Sequence, residues 1–177
     1  MKYTTKNKDW YKDSLKTIKN IYKSDYDFFI DLLASTSPRK NVKANYKLSY
    51  NIYLNVISGF EPFTNIKGVL KAHKNNVIRS LRGEELSGLK VQNFAKALKG
   101  DLNAVVIDVW VKRYFKIPEN KALTPLQYKK LERKIRVNAK KNNLKPAEYQ
   151  AVIWEKQRQK NGFIAKSFES VVKDIIR

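Results

Sequence analysis

Residues 86–115 read LSGLKVQNFAKALKGDLNAVVIDVWVKRYF, and the remaining helical segments are arranged around this stretch. A glycine turn at Gly88 is followed by a short amphipathic segment, a second turn at Gly100 and a lone acid, Asp108, between apolar residues. Glycine favours turns that need left-handed backbone, and aspartate is preferred at helix N-caps. The stretch therefore predicts one helix that begins just after Gly88 and carries Lys90, and a second that begins at Asp108.

On both sides of this stretch, apolar residues recur at helical spacing. Residues 15–22 mark a first helix from Asp13, and the motif TPLQ at residues 124–127 is a helix start with Pro at the first position and a capping box. We expect two short helices around residues 69–70 and 77–81, a helix cap at Asn41 or at one of the serines before it, and a cap at Ser167. No alternating run bounded by turns competes with helix, so we predict an all-α fold.

The chain has 177 residues, enough for one domain with a sizeable core. We divide it into a basic lead-in at residues 1–12, a helical core at residues 13–120 and basic C-terminal helices at residues 121–177 that pack on the core. No internal repeat or low-complexity linker interrupts this organisation.

The net charge is extreme for a chain of this size: 37 Lys and Arg stand against 16 Asp and Glu, which gives +21. A polyanionic partner relieves such self-repulsion, and nucleic acid is the leading candidate, since each phosphate that Lys or Arg neutralises releases counterions. A lysine-rich composition bias is the alternative, but it does not explain why acids are scarce.

Several classes of site are excluded by composition. The absence of cysteine excludes disulfides and Cys-ligated zinc or iron–sulfur sites, and a single histidine, His73, excludes a multi-His metal site. We therefore expect neither metal nor cofactor, and a surface position for His73. Without a signal sequence or an apolar run of membrane-spanning length, we expect a cytoplasmic monomer with no membrane partner, in a prokaryote or an infected host cell.

Two motifs in the central stretch resemble those of the helix-hairpin-helix DNA glycosylases, in particular the 8-oxoguanine DNA glycosylase/AP lyase branch. Residues 86–91, LSGLKV, resemble the family hairpin Leu-Pro-Gly-x-Gly-x-Lys, and residues 106–110, VIDVW, resemble the Val-Asp-x-His motif one helix later. The resemblance covers roughly residues 28–116. This chain departs from the pattern in having one hairpin glycine instead of two, Trp110 in place of the histidine, and no iron–sulfur ligands.

The resemblance implies a helix-hairpin-helix glycosylase-like domain that flips a damaged or modified base out of DNA and excises it in base-excision repair, with or without AP lyase activity. Lys90 would be the nucleophile and Asp108 the carboxylate that stabilises positive charge on the sugar. The alternatives are a non-catalytic DNA-binding module and a base-modifying enzyme on the same fold. In those cases Lys90 is a solvated lysine and Asp108 only a helix cap.

Further candidate residues surround the motifs. Trp110 and Trp154 are candidates for the walls of a base pocket, although these two residues and Phe163 are core candidates as well. The basic run at residues 133–145 is either a solvated helix face or a surface that follows the DNA backbone. Residues of the hairpin, of the helix after it and of a nearby helix start could contact phosphates, although any one of them could be an ordinary surface residue: Gly88, Leu89, Arg39, Lys40, Lys43, Lys96 and Lys99.

Overall fold

The computed structural model describes residues 8–164 and 166–176, and over these residues the chain is all helical, which confirms the all-α prediction. No described helix has both the length and the apolar composition needed to cross a bilayer. The helices are α1 (Trp10–Tyr22), α2 (Tyr26–Ser35), α3 (Val42–Ile57), α4 (Lys71–Leu81), α5 (Leu89–Leu98), α6 (Val109–Tyr114), α7 (Pro125–Lys141), α8 (Pro146–Lys160) and α9 (Phe168–Lys173), with a 3-10 turn at Lys23–Asp25.

Local capping chemistry sets several helix starts where the sequence predicted them. The Asn41 side chain accepts a hydrogen bond of 2.8 Å from the backbone N–H of Ala44 at the start of α3. Thr124 and Gln127 form the predicted capping box of α7, and Ser167 caps α9. Each cap satisfies backbone donors that the first helical turn leaves without partners.

Helix α1 begins at Trp10, earlier than the predicted start at Asp13. The reason is tertiary: Tyr11 is buried, and its hydroxyl donates a 2.7 Å hydrogen bond to the side chain of Gln150 in α8. Residues 1–7 of the predicted lead-in lie outside the described residues. The N-terminal helix thus belongs to the core.

Of the two short helices predicted around residues 69–70 and 77–81, the second is confirmed as α4, whereas the first was wrong because residues 69–70 lie outside any helix. Gly68 adopts φ +75°, and Leu70 is extended at the position before the helix. The backbone N–H of Leu70 donates to Nδ1 of His73 at 3.1 Å. This contact fixes the helix start after Leu70, so residues 69–70 stay outside it.

The core is built around α2, which packs against α1, α3, α4 and α5. Phe29, Ile30 and Leu33 of α2 are buried in the main apolar cluster, together with Ala147 and Ala151 of α8. Helix α8 also packs against α1, α6 and α7. The C-terminal helices therefore share the core of the N-terminal ones.

The connection between α4 and α5 is a hairpin that side chains hold in place. The buried side chain of Asn76 accepts a 2.7 Å hydrogen bond from the backbone N–H of Ser87 and donates one of 3.1 Å to its carbonyl. The Gln92 amide donates to the carbonyl of Leu86 at 2.7 Å. Gly88 adopts φ +96°, a conformation that L side chains rarely adopt, so the chain can turn directly into α5.

Candidate active site at Lys90 and Asp108

Lys90 lies in the first turn of α5, directly after the hairpin. Its Nζ donates a 2.6 Å hydrogen bond to Oγ of Ser37 and lies 5.2 Å from the ring centroid of Phe94. The Ser37 hydroxyl in turn donates to the carbonyl of Ala34 at 2.7 Å. Part of the side chain reaches solvent, yet burial of the amine lowers the pKa of Lys90 to about 8 against the opposing effect of Asp108.

Asp108 occupies the N-cap of α6, where its Oδ1 accepts a 2.9 Å hydrogen bond from the backbone N–H of Val111. Burial raises the pKa of Asp108. The hydrogen bond from Val111 and the positive charge of Lys90 oppose this rise in pKa, as do interactions with the Trp154 indole and the Trp110 backbone. Asp108 is therefore both a helix cap and a largely desolvated acid.

Lys90 and Asp108, both half-buried, interact electrostatically. Asp108 acts to raise the pKa of Lys90, Lys90 acts to lower that of Asp108, and for each group burial is the larger influence. The charge of Asp108 also contributes to the raised pKa values of Tyr11 and Tyr128, after burial. The arrangement places an amine with a lowered pKa within electrostatic range of a carboxylate, which suits nucleophilic attack with electrostatic stabilisation.

Tyr128 of α7 holds the extended segment that leads into Asp108. Its hydroxyl donates a 2.8 Å hydrogen bond to the carbonyl of Val105 and accepts one of 3.2 Å from the backbone N–H of Ile107. The same hydroxyl accepts from the Asn93 amide of α5 at 3.2 Å. Sequence reasoning missed these hydrogen bonds, because the spacing of a tyrosine on the apolar face of a helix is the same whether its hydroxyl bonds backbone groups or its ring only packs in the core.

An aromatic wall with two arginines adjoins Asp108. The guanidinium of Arg113 lies 4.2 Å from the ring centroid of Trp110, and that of Arg158 lies 4.5 Å from the centroid of Trp154. Phe163 bridges the two halves, with its ring 5.3 Å from Trp110 and 6.0 Å from the Arg158 guanidinium. The two predicted wall residues are half-buried and border one surface; the arginines were missed, because nothing in their local sequence marks them.

The predicted phosphate contacts fall on two neighbouring segments. Gly88, Leu89 and Lys96 belong to the hairpin and α5, and no side chain caps the N-terminus of that helix. Arg39 and Lys43 are exposed near the start of α3. The loop between α2 and α3 that carries Arg39 also supplies the hydroxyl that binds Lys90, so the two segments meet at the candidate site. Lys40, in the same loop, is half-buried, with its amine beside Gly68.

His73 is fully buried, so the predicted surface position was wrong. Its Nδ1 accepts from Leu70, and its Nε2 lies 2.8 Å from the carbonyl of Pro38, to which it donates in that tautomer. Burial lowers the pKa of His73, and the charges of Lys40 and Lys90 act in the same direction. The histidine thus ties α4 to the loop that carries the partner of Lys90.

A family of unknown function, DUF7178, matches residues 2–161, which is most of the chain. The chain belongs to this family. No curated protein and no solved structure matches it significantly. The DUF7178 region contains Ser37, Lys90, Asp108 and Trp154, so the centre of the candidate site lies within the family match, whereas Phe163 lies just beyond its end.

Proposed function

We propose that this DUF7178 protein is a helix-hairpin-helix glycosylase-like enzyme that extrudes a damaged or modified base from duplex DNA and removes it. The observation that carries the proposal is the interaction between Lys90, at the start of α5, and Asp108, at the start of α6. A desolvated lysine beside a desolvated aspartate costs stability, and such pairs are concentrated at functional sites.

The proposed chemistry uses the two groups in distinct roles. The unprotonated amine of Lys90 attacks C1′ of the sugar while the bond from C1′ to the base nitrogen breaks, and the base leaves with the bond's electron pair and takes up a proton. The Asp108 carboxylate stabilises the positive charge that develops on the sugar. Opening of the sugar ring then gives a Schiff base, from which elimination of the 3′ phosphate would provide the AP lyase step.

The surroundings of the pair support a DNA substrate. Backbone N–H groups at the uncapped start of α5, after Gly88, are suited to hold a phosphate without reading sequence. The half-buried rings of Trp110 and Trp154 offer a surface on which an extruded base could stack. The net charge of +21 supplies the general attraction to the phosphate backbone.

Borohydride trapping tests the proposal. Wild-type protein incubated with duplex DNA that contains an abasic site should form a covalent adduct on reduction, and Lys90→Ala should form none. Lys96→Ala is the matched control, because it removes an exposed lysine of the same helix and should retain the adduct at saturating protein. An unchanged adduct in Lys90→Ala, or base release that survives Asp108→Asn on a lesion panel, would contradict the assigned roles.

A DNA-binding module without catalysis is the second candidate. One contact favours it, namely the hydrogen bond from Lys90 to Ser37, since a purely structural lysine would also have such a partner. Salt-sensitive binding to duplex DNA, with neither adduct nor base release, is the result expected of such a module. Mass analysis of nucleosides after incubation would detect base modification, the remaining alternative.

A further inference from the structure

Two large apolar side chains project from the loop between α8 and α9. Phe163 is 50% exposed and Ile164 is 83% exposed. They directly follow Gly162, which adopts φ +78° and ends the turn after α8. Single exposed apolar residues are common on protein surfaces, so the exposure alone has no functional meaning. Phe163 and Ile164, called the tip below, gain a candidate function from their position beside the candidate site.

The tip is attached to the aromatic wall next to Asp108. The Phe163 ring meets the Trp110 ring edge to face at 5.3 Å. Trp110 lies in the first turn of α6, the helix that Asp108 caps, and Trp154 contributes to the electrostatic surroundings of Asp108. Phe163 therefore links the exposed Ile164 to the residues that surround the carboxylate.

The charge around the tip selects the kind of partner. Arg158 lies 6.0 Å from the Phe163 ring, and the exposed Lys160 closes α8 just before the loop. An apolar tip beside cations is complementary to a partner that has phosphates outside and stacked apolar rings inside. Duplex DNA has both features, and apolar wedges that enter its base steps unstack and kink it.

We propose that Ile164 and Phe163 form a wedge that enters the base stack of duplex DNA next to the nucleotide that faces Asp108. Ile164 would occupy the opened base step, while Phe163 stays against Trp110 and supports it. The claim that a nucleotide faces Asp108 rests on the proposed function. Insertion of the wedge into the base stack requires only that the protein binds DNA. The wedge would hold the duplex open and so favour the extruded state of the nucleotide.

A duplex with 2-aminopurine beside an abasic site measures the insertion, because the fluorescence of this base rises when it unstacks. Wild-type protein should raise the fluorescence. Ile164→Ala should lose most of that rise and bind the duplex about tenfold more weakly, while Ile164→Phe should retain both. Ile57→Ala is the matched control, since Ile57 is 54% exposed at the end of α3, and it should behave as wild type.

The outcomes separate the wedge from the proposed function. A fluorescence rise that Ile164→Ala removes supports the wedge even if no base is released and no adduct is trapped. Base release by wild-type protein without a fluorescence rise would overturn the wedge and leave the glycosylase intact. A rise that Ile164→Ala leaves unchanged would also overturn it, as would an effect of that variant on self-association alone. Circular dichroism should show native helix content in every variant.

Discussion

At the scale of single residues, two opposing effects act on the pKa of Lys90: burial of its amine and the charge of Asp108. Its amine has one hydrogen-bond partner among the described contacts, Ser37, and an aromatic neighbour, Phe94. Asp108 favours the charged amine, but the pKa of Lys90 still falls to about 8. Desolvation therefore outweighs the attraction of the carboxylate, and the amine loses its proton closer to neutral pH than an ordinary lysine does.

The lowered pKa of Lys90 predicts how the reactivity of its amine depends on pH. Reductive methylation of Lys90 should increase as pH rises through about 8, since only the unprotonated amine reacts. In Asp108→Asn the midpoint should move to lower pH, because the charge that favours the protonated amine is lost. Mass spectrometry of the labelled peptides measures both effects. Lys96 is the internal reference, and a midpoint that rises in Asp108→Asn would contradict the interaction.

A second residue-scale prediction concerns Tyr128. Tyr128→Phe removes the hydroxyl shared by Val105, Ile107 and Asn93, and so leaves buried backbone groups without a partner. We expect the free energy of unfolding to fall by about 1–3 kcal/mol in urea denaturation. Tyr114→Phe is the control, because Tyr114 adjoins the same apolar cluster and its ring is kept; an equal loss in both variants would show that these hydrogen bonds are unimportant.

At the scale of elements, the unit of interest is α4, the hairpin and α5. Its geometry depends on the buried side chain of Asn76. This amide bonds both the backbone N–H and the carbonyl of Ser87 in the turn. Helix α2 packs against both helices of the unit. The hairpin is therefore held on one side by the core and on the other by the side-chain amides of Asn76 and Gln92.

Asn76→Ala should loosen this hairpin. We expect the unfolding free energy to fall by about 1–3 kcal/mol, because the N–H and the carbonyl of Ser87 both lose their side-chain partner. The backbone N–H of Ser87 should also exchange faster with deuterium, since its hydrogen bond to Oδ1 of Asn76 is lost. The affinity of Asn76→Ala for duplex DNA should also fall, because the loosened hairpin is the proposed phosphate site. Asn75→Ala, at an exposed neighbouring position of α4, should leave all three measurements unchanged; protection of Ser87 in Asn76→Ala would contradict the assigned role.

The sequence predicted what local chemistry determines. The caps at Asn41, Thr124 and Ser167 follow from the side chain at each position and the helix after it. The burial of His73 and the contact of Ser37 with Lys90 could not be predicted, because they arise when α4 and α5 pack against α2. The motifs located the two central residues of the candidate site, and tertiary packing supplied their partners.

At the scale of the whole molecule, the net charge of +21 should dominate DNA binding. Affinity for duplex DNA should fall steeply with salt, and Arg39→Ala and Lys43→Ala should each reduce the slope of log K against log salt by about 0.9. Fluorescence anisotropy over a salt series measures the slope. Lys99→Ala changes the net charge equally but removes a lysine paired with Asp27 and Asp31, so its slope should match wild type. A flat salt response of the wild type would contradict phosphate binding.

The candidate site draws on segments from most of the chain: the loop after α2, the starts of α5 and α6, and α8. All three tryptophans of the sequence lie around it. Trp110 belongs to the first turn of the helix that Asp108 caps, Trp154 contributes to the electrostatic surroundings of Asp108, and the tilted Trp10 ring lies against Trp154 with the centroids 5.7 Å apart. Indole emission is sensitive to a neighbouring charge. The protein consequently has a built-in optical probe: its ultraviolet fluorescence should change as Asp108 ionises or a base stacks beside it, and no dye needs to be attached.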